Sequence, residues 1–290
     1  MATELLVDAH VHVASADQTR HPRRPTGAGS DWWRRPSGVE QLIENLDAAG
    51  VDRAVVVQAV GVYGYDCRYA VEVVAAGNDR LALVGAVDMA DPDIESAFAQ
   101  LHACGHLAGL RLFGVGAADA DWLTNGTGRR VWRLAAETGC VLVPTIFSDG
   151  LPALRALMDQ EPGVVVALDH CAFPDLGGPG AMADLLGLAD LESLHLKVTS
   201  HNLDDGNDPA VFLEALAGAF GPTRLCWGSD HPQHQSRTYP EMLTLARQAA
   251  RDLGAADRAA FLGENARRLW WSPRSSLPAP DDDPGVSSAC

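Results

Sequence analysis

The sequence predicts an α/β protein built as a single-domain (β/α)8 TIM barrel. Three observations carry that expectation. The chain has 290 residues, and barrels of this kind take about 250. Eight short, near-continuous apolar runs recur along it with helical stretches between them, as parallel strands covered on both faces require. Two polar phrases, Asp8-Ala9-His10-Val11-His12 and Trp227-Gly228-Ser229-Asp230-His231-Pro232, stand near opposite ends of that alternation. A closed barrel makes the first and last strands neighbours. A doubly wound open sheet, the alternative, gives no obvious way to bring them together.

The apolar runs fall at 5–7, 54–57, 81–87, 107–112, 141–143, 164–168, 194–198 and 225–227. Between them, 39–49 carries Leu42, Ile43 and Leu46 on one stripe and stops at Gly50. The stretch 94–104 stops at Gly105 and 131–138 at Gly139. Glycine just past a helix is the expected stop, because it accepts the left-handed backbone there. The helix 209–220 follows Asp208, a good N-cap, and 239–253 and 258–271 complete the barrel. Segment 15–36, rich in Arg, His, Pro and Trp, is long for a strand-to-helix loop and is expected to fold over the barrel mouth. The barrel is assigned to 1–271. The Pro-, Ser- and Asp-rich stretch 272–290 is expected to be disordered and without function.

A formal net charge of −16 argues against nucleic acid or an anionic membrane as partner, since both require basic patches. A small-molecule substrate is expected instead, and the sequence is compatible with an oligomer. No apolar run approaches the roughly 18 residues of a membrane span. No basic segment followed by an apolar one opens the chain. These features point to a soluble cytoplasmic protein. The six cysteines are scattered without a CxxC pair, so buried thiols in a reducing compartment are the default. Lysine occurs once, at Lys197, on a predicted strand.

Two imidazoles at i and i+2 on a strand share a face. Taken alone, HxH is a weak pattern, and Gly, Ser, Asp and Pro are ordinary turn residues. Together, at the two strands a barrel makes adjacent, they indicate a site where His10, His12 and Asp230 converge. Active sites of such barrels lie at the C-terminal strand ends. His12, Gln58, Asp88, Arg111, Thr145, His170, Lys197, His201 and Asp230 all fall at or near those ends.

With these motifs placed, the chain resembles the amidohydrolase superfamily. More narrowly it is similar to the branch containing 2-pyrone-4,6-dicarboxylate hydrolase and related sugar lactonases. The matching residues are Asp8-Ala9-His10-Val11-His12, Gly50-Val51-Asp52-Arg53-Ala54-Val55-Val56-Val57-Gln58 and Val62-Tyr63-Gly64-Tyr65-Asp66. They continue with Gly109-Leu110-Arg111-Leu112, Leu168-Asp169-His170, Lys197, Trp227-Gly228-Ser229-Asp230 and Glu264-Asn265-Ala266-Arg267-Arg268-Leu269. The resemblance implies a hydrolase that opens a lactone or related cyclic ester. It implies catalytic His10, His12, His170 and Asp230, with Asp230 as general base toward water. Lactone hydrolysis needs an activated water, a polarised carbonyl and a proton for the leaving oxygen, which a carboxylate among imidazoles can supply.

Metal-dependent members of the superfamily usually add a strand-five histidine, and binuclear ones a strand-four lysine or glutamate. Here strand five reads Cys140-Val141-Leu142-Val143-Pro144-Thr145-Ile146-Phe147, and strand four offers Arg111, which does not ligate metals in the ordinary way. The departure favours no required metal. The alternative is one zinc on His10, His12 and Asp230, with an open position for water. His231 and His234 are expected to line the mouth or face solvent.

The expected substrate-binding residues are Arg111, Lys197, His201, Thr145 and Tyr63. Arg111 suits a carboxylate or carbonyl, or else makes a salt bridge at the barrel top. The dicarboxylate hydrolases use further arginines after strands four and seven and a strand-five tyrosine. Those positions hold Phe113-Gly114-Val115-Gly116-Ala117-Ala118, Thr199-Ser200-His201-Asn202-Leu203 and Thr145. Either Arg20, Arg23 and Arg24 replace them, or the substrate is less acidic. Two other classes compete: a zinc-dependent decarboxylase of the same superfamily acting on a small carboxylic acid, and a non-catalytic binding barrel. A metal assay separates the first from a lactonase, and a lactone panel separates both enzymes from the second.

Overall fold

A computed structural model describes residues 4–25, 31–115 and 120–271. The stretch 272–290 lies outside the described residues. Eight strands run in parallel: β1 Val7–Val11, β2 Arg53–Val57, β3 Leu81–Ala86, β4 Leu107–Phe113, β5 Val141–Thr145, β6 Val166–Leu168, β7 Leu194–Thr199 and β8 Leu225–Gly228. Each pairs with the next in chain order. The ends of β8 and β1 meet through two backbone bonds. Asp230 N–H donates to His10 O at 2.9 Å, and His12 N–H donates to His231 O at 2.7 Å. The predicted (β/α)8 barrel is therefore the architecture. The bonds that join its ends belong to the residues of the two polar phrases.

One main helix follows each strand: Val39–Ala49, Arg68–Ala76, Ile94–Ala103, Thr127–Thr138, Leu151–Gln160, Ala181–Leu186, Pro209–Phe220 and Tyr239–Ala249. The glycine stops act as expected at Gly50 (φ 70°) and Gly139 (φ 69°). Asp208 caps its helix by accepting from Ala210 N–H at 3.1 Å. Several boundaries differ from those expected: the helix expected at 239–253 ends at Ala249, and the strand expected at 164–168 begins at Val166. The fourth helix starts at Thr127 rather than 131 because its first turn, Thr-Gly-Arg-Arg, is polar and carries no apolar signal. β1 extends to Val11, beyond the apolar run at 5–7, because pairing with β2 and β8 rather than hydrophobicity sets its length.

The barrel interior is filled by Val7, Ala9, Val55, Val57, Val84, Val143 and Cys226. Trp270, from the last helix Asn265–Trp271, closes the N-terminal end beside Gly109 at the start of β4. Leu42, Phe98, Trp132 and Leu213 pack in the layer between strands and helices. Each such side chain contributes about 1.5–3 kcal/mol when fully buried. Cys67, Cys171 and Cys226 are buried thiols. No described helix is long and apolar enough to cross a membrane.

Alternation along β1 breaks once. Val7 and Ala9 face the interior, whereas Val11 and Val13 pack under the helices. The pairing with β2 is irregular between Asp8 and Val11. Such a bulge re-aims side chains next to active sites. It turns His10 and His12 to the mouth and sends Asp8 to the Tyr239 hydroxyl at 3.0 Å.

The stretch read as one helix, 258–271, is Ala255–Ala259, a π turn Ala260–Glu264 and then Asn265–Trp271. The wide turn lets Gly263 press on the chain entering β1. A Cβ there would sit 2.1 Å from Leu5 O. Gly263→Ala is expected to destabilise by at least about 2 kcal/mol, within the range for overpacking a rigid contact. Equilibrium urea unfolding checks this, and an unchanged midpoint would contradict it.

Candidate active site

Asp169, directly after β6, is fully buried and binds four donors. Its Oδ1 accepts from His10 Nδ1 at 3.2 Å and forms an ion pair with Lys197 Nζ at 2.8 Å. Its Oδ2 receives Arg111 Nε at 3.2 Å and the Thr145 hydroxyl at 2.7 Å. Burial by itself would raise this carboxyl, but the charges and hydrogen bonds of Lys197, His10 and Arg111 hold it well below the usual carboxylate range. Thr145 Oγ1 also accepts from Arg111 Nε at 2.9 Å, and Arg111 Nη1 donates to Gln58 O at 2.9 Å. Among the described residues Arg111 Nη2 has no partner.

The tautomers of three imidazoles follow from what faces their Nδ1 atoms. His12 Nδ1 lies 2.8 Å from Val57 O, which can only accept. His10 Nδ1 faces the ionised Asp169. The Thr199 hydroxyl donates to Asn202 Oδ1, so it accepts from His170 Nδ1 at 2.8 Å. Each ring therefore carries its proton on Nδ1 and a lone pair on Nε2. Burial keeps them neutral, pushing His12 down to about 3 and His10 and His170 well below the normal value.

His10 Nε2 and His12 Nε2 lie 3.1 Å apart. Asp230 Oδ1 is 3.7 Å from the first and 3.5 Å from the second. This oxygen is buried and has no hydrogen-bond partner. Burial pushes the Asp230 carboxyl up to about 8, with Arg111 and Lys197 opposing the rise. Three acceptor atoms thus face one another with no donor between them, an arrangement that only a proton or a cation relieves. A tetrahedral zinc with bonds of about 2.0–2.1 Å places its ligand atoms about 3.4 Å apart, close to the three separations here. The residues fit one metal ion. The second cluster, His10, Asp169 and His170, does not, because Asp169 already binds four donors.

His170 is held by an unusual backbone. His170, Cys171, Ala172 and Phe173 have φ of 51°, 53°, 59° and 52°, a left-handed turn of non-glycine residues. Asn202 Nδ2 donates to His170 O at 2.8 Å and secures it.

The cavity above these groups measures about 290 Å³ and is lined by His12, Arg111, Thr145 and His170, with Trp32, Phe113, Phe147, Phe173, Leu176 and Gln233 among its walls. The structure brings together His10, His12, His170 and Asp230 as expected. It also brings in Arg111 and Thr145, both already bound to Asp169. Of the others, Lys197 and Tyr63 are held elsewhere, and His201 stands behind the wall, edge-on to Phe173 at 5.3 Å and to His170 at 6.1 Å. Lys197 is buried beneath the floor with Nζ 5.7 Å from the Trp270 ring. The Tyr63 hydroxyl accepts from Ser15 N–H at 2.7 Å. His201 Nε2 lies 3.1 Å from Asp175. Nor do the loop arginines arrive: Arg20 pairs with Glu72, and Arg23 binds Ser15 O and lies over Trp33. From segment 15–36 it is Trp32 that reaches the site, parallel to the His12 ring at 5.8 Å.

The amidohydrolase family model matches residues 7–271. The chain belongs to the amidohydrolase family. It is a hydrolase of that family, with 27% identity to L-fucono-1,5-lactonase of Burkholderia ambifaria over 93% of this chain and 97% of that protein. A solved amidohydrolase from Burkholderia multivorans with bound zinc is 25% identical, covering 93% of this chain and 100% of that one, with a TM-score of 0.74. A 2-pyrone-4,6-dicarboxylic acid hydrolase-like protein from Pseudomonas putida shares the fold at TM-score 0.75 and 23% identity, covering 93% and 98%. The expectation that no metal is required is not supported. A histidine on strand five is absent, but the strand-one pair and Asp230 already form a ligand set.

These environments give the metal-free protein a stability maximum. His10, His12 and His170 titrate near 6.5 only when unfolded. As pH falls below that, unfolding takes up protons, and each ring removes up to about 1.4 kcal/mol per unit. Asp230 is raised in the fold, so its stabilisation is lost as pH rises through about 8. Urea midpoints of metal-stripped protein should peak between these limits, near pH 6.5. His12→Gln should flatten the acid limb and Asp230→Asn the alkaline limb. A monotonic profile would contradict the assignments.

Proposed function

We propose that this chain hydrolyses a lactone by general-base activation of water at Asp230. The observation that carries the reading is the buried, unpaired Asp230 Oδ1 facing two imidazole lone pairs. In its ionised form, which prevails above about pH 8 in the metal-free protein, Asp230 takes a proton from water as the water oxygen bonds to the lactone carbonyl carbon. Arg111 Nη2, at the cavity wall, is the donor available to the developing oxyanion. The ring C–O bond then breaks, and the proton on Asp230 passes to the leaving oxygen. One water is consumed and a hydroxy acid is released. His170, with Nδ1 fixed by Thr199, offers Nε2 as a second acceptor that orients the water. His10 and His12 are positioned by Asp169 and Val57 O.

His10, His12 and Asp230 would hold one divalent metal ion, which when bound supplies Lewis-acid polarisation and a lowered pKa of water. Elemental analysis of purified protein should find about one zinc or similar ion per chain, in line with one three-ligand set. Chelation should abolish lactone hydrolysis, and one equivalent of zinc should restore it. Full activity in protein shown to be metal-free would refute this part.

The reading as a whole is tested by proton release on a panel of lactones. Asp230→Asn should keep the fold, seen by circular dichroism, and lower turnover at least about a hundredfold, the low end for losing a positioned base. Near-normal turnover in the folded variant would remove Asp230 from the mechanism.

A further inference from the structure

We infer that the site takes a lactone bearing an uncharged apolar substituent, rather than a polyhydroxylated ring or one with several carboxylates. This rests on the lactonase reading above and specifies its substrate class. Among the described residues three large hydrophobic side chains are exposed: Phe147 at 40%, Leu176 at 62% and Val211 at 65%. Two of the three, Phe147 and Leu176, line this one cavity. Exposed apolar groups gathered at a groove mark a surface that a ligand covers.

The aromatic wall continues from the rim to the reacting groups. Phe147 packs on Phe173 at 5.5 Å, and Phe173 stacks on the His170 ring at 4.7 Å. Across the cavity, Trp32 lies parallel to His12. A ligand that reaches the floor with its carbonyl must pass its far end between these walls. The volume, about 290 Å³, is near the lower limit of about 300 Å³ usual for small-ligand sites.

The polar complement excludes the other classes. The Thr145 hydroxyl is committed in both directions, to Asp169 and from Arg111. At the floor the Nε2 atoms of His12 and His170 and Arg111 Nη2 face the carbonyl and the water, and among the described residues of the walls above them Gln233 is the carboxamide that could meet a hydroxyl. A sugar lactone would bury several ring hydroxyls against largely apolar walls, and each unsatisfied hydroxyl weakens binding. A carboxylate fares no better. Among the described residues the walls above the floor offer it no free cation: Arg111 is paired with Asp169, Lys197 is buried beneath the floor against Asp169, and Arg20 and Arg23 are engaged elsewhere.

The test compares δ-decalactone, whose ring carries a pentyl chain, with δ-valerolactone, L-fucono-1,5-lactone and 2-pyrone-4,6-dicarboxylate. With zinc-loaded enzyme, kcat/KM for δ-decalactone should exceed that for each of the others at least about tenfold, the low end of discrimination by an apolar pocket. Phe147→Ser and Leu176→Ser should raise KM for δ-decalactone more than for δ-valerolactone. Calorimetry with the matching lactams supplies an arm that needs no turnover. The pentyl-substituted lactam should bind at least about tenfold tighter than δ-valerolactam, and the two serine variants should erase the difference. Preference for the sugar lactone or the dicarboxylate overturns the inference. So does equal binding of the two lactams. If no lactone is hydrolysed but the lactams bind as expected, the lactonase reading fails and the apolar ligand class stands.

Discussion

Asp169 carries a buried negative charge whose four donors come from β1, β4, β5 and β7, so one carboxylate ties together the C-terminal ends of five strands. A carboxylate of this kind is costly to bury unless every lone pair is met. Here each oxygen receives two donors, two of them cationic. Removing one partner of such a buried pair typically costs about 3–5 kcal/mol, because the charge left behind is uncompensated. The same contacts determine the chemistry. Asp169 fixes the His10 tautomer, orients Arg111 and occupies Lys197, and the pair of cations it gathers lies beside Asp230.

The rest of the site is arranged by acceptors that sit one bond behind the reacting atoms. Val57 O, Asp169 and Thr199 each face an Nδ1, and each thereby leaves an Nε2 lone pair free at the mouth. This is how a second layer of hydrogen bonds prepares imidazoles for a proton or a metal ion. The arrangement explains why neutral histidines and a raised carboxyl occur together. Burial disfavours charge on all of them, and their facing lone pairs remain to be shared.

Two departures from regular backbone serve this geometry. The bulge in β1 lets His10 and His12 face inward while Asp8 turns to Tyr239. The left-handed turn from His170 to Phe173 costs roughly 1–2 kcal/mol per residue, and the Asn202 bond and the burial of His170, Cys171 and Ala172 offset it. Strain of this kind concentrates at functional sites. The turn places Phe173 against the face of His170, which joins the apolar wall to the reacting floor.

The eight strands, the glycine stops and the meeting of His10, His12 and Asp230 were legible in the amino-acid sequence. Each depends on local signals: apolar runs, left-handed positions after helices, and the C-terminal ends of strands that a barrel must make adjacent. The place of Asp169 was not legible. It stood beside His170 in a dipeptide, and nothing local says which of two adjacent polar side chains enters the barrel. Arg111 and Lys197 had been expected to meet substrate. Their pairing with a carboxylate 58 residues away from Arg111 follows from strand register, which no short segment encodes. Tyr63 and His201 lie close in sequence to the mouth, but the Tyr63 hydroxyl is held by Ser15 N–H, and His201 stands behind Phe173 beside Asp175. The fit to a metal ion was decided by tertiary structure too. It rests on three acceptor atoms brought within bonding reach of one ion by the closure of β8 on β1, a distance constraint that composition and spacing do not contain.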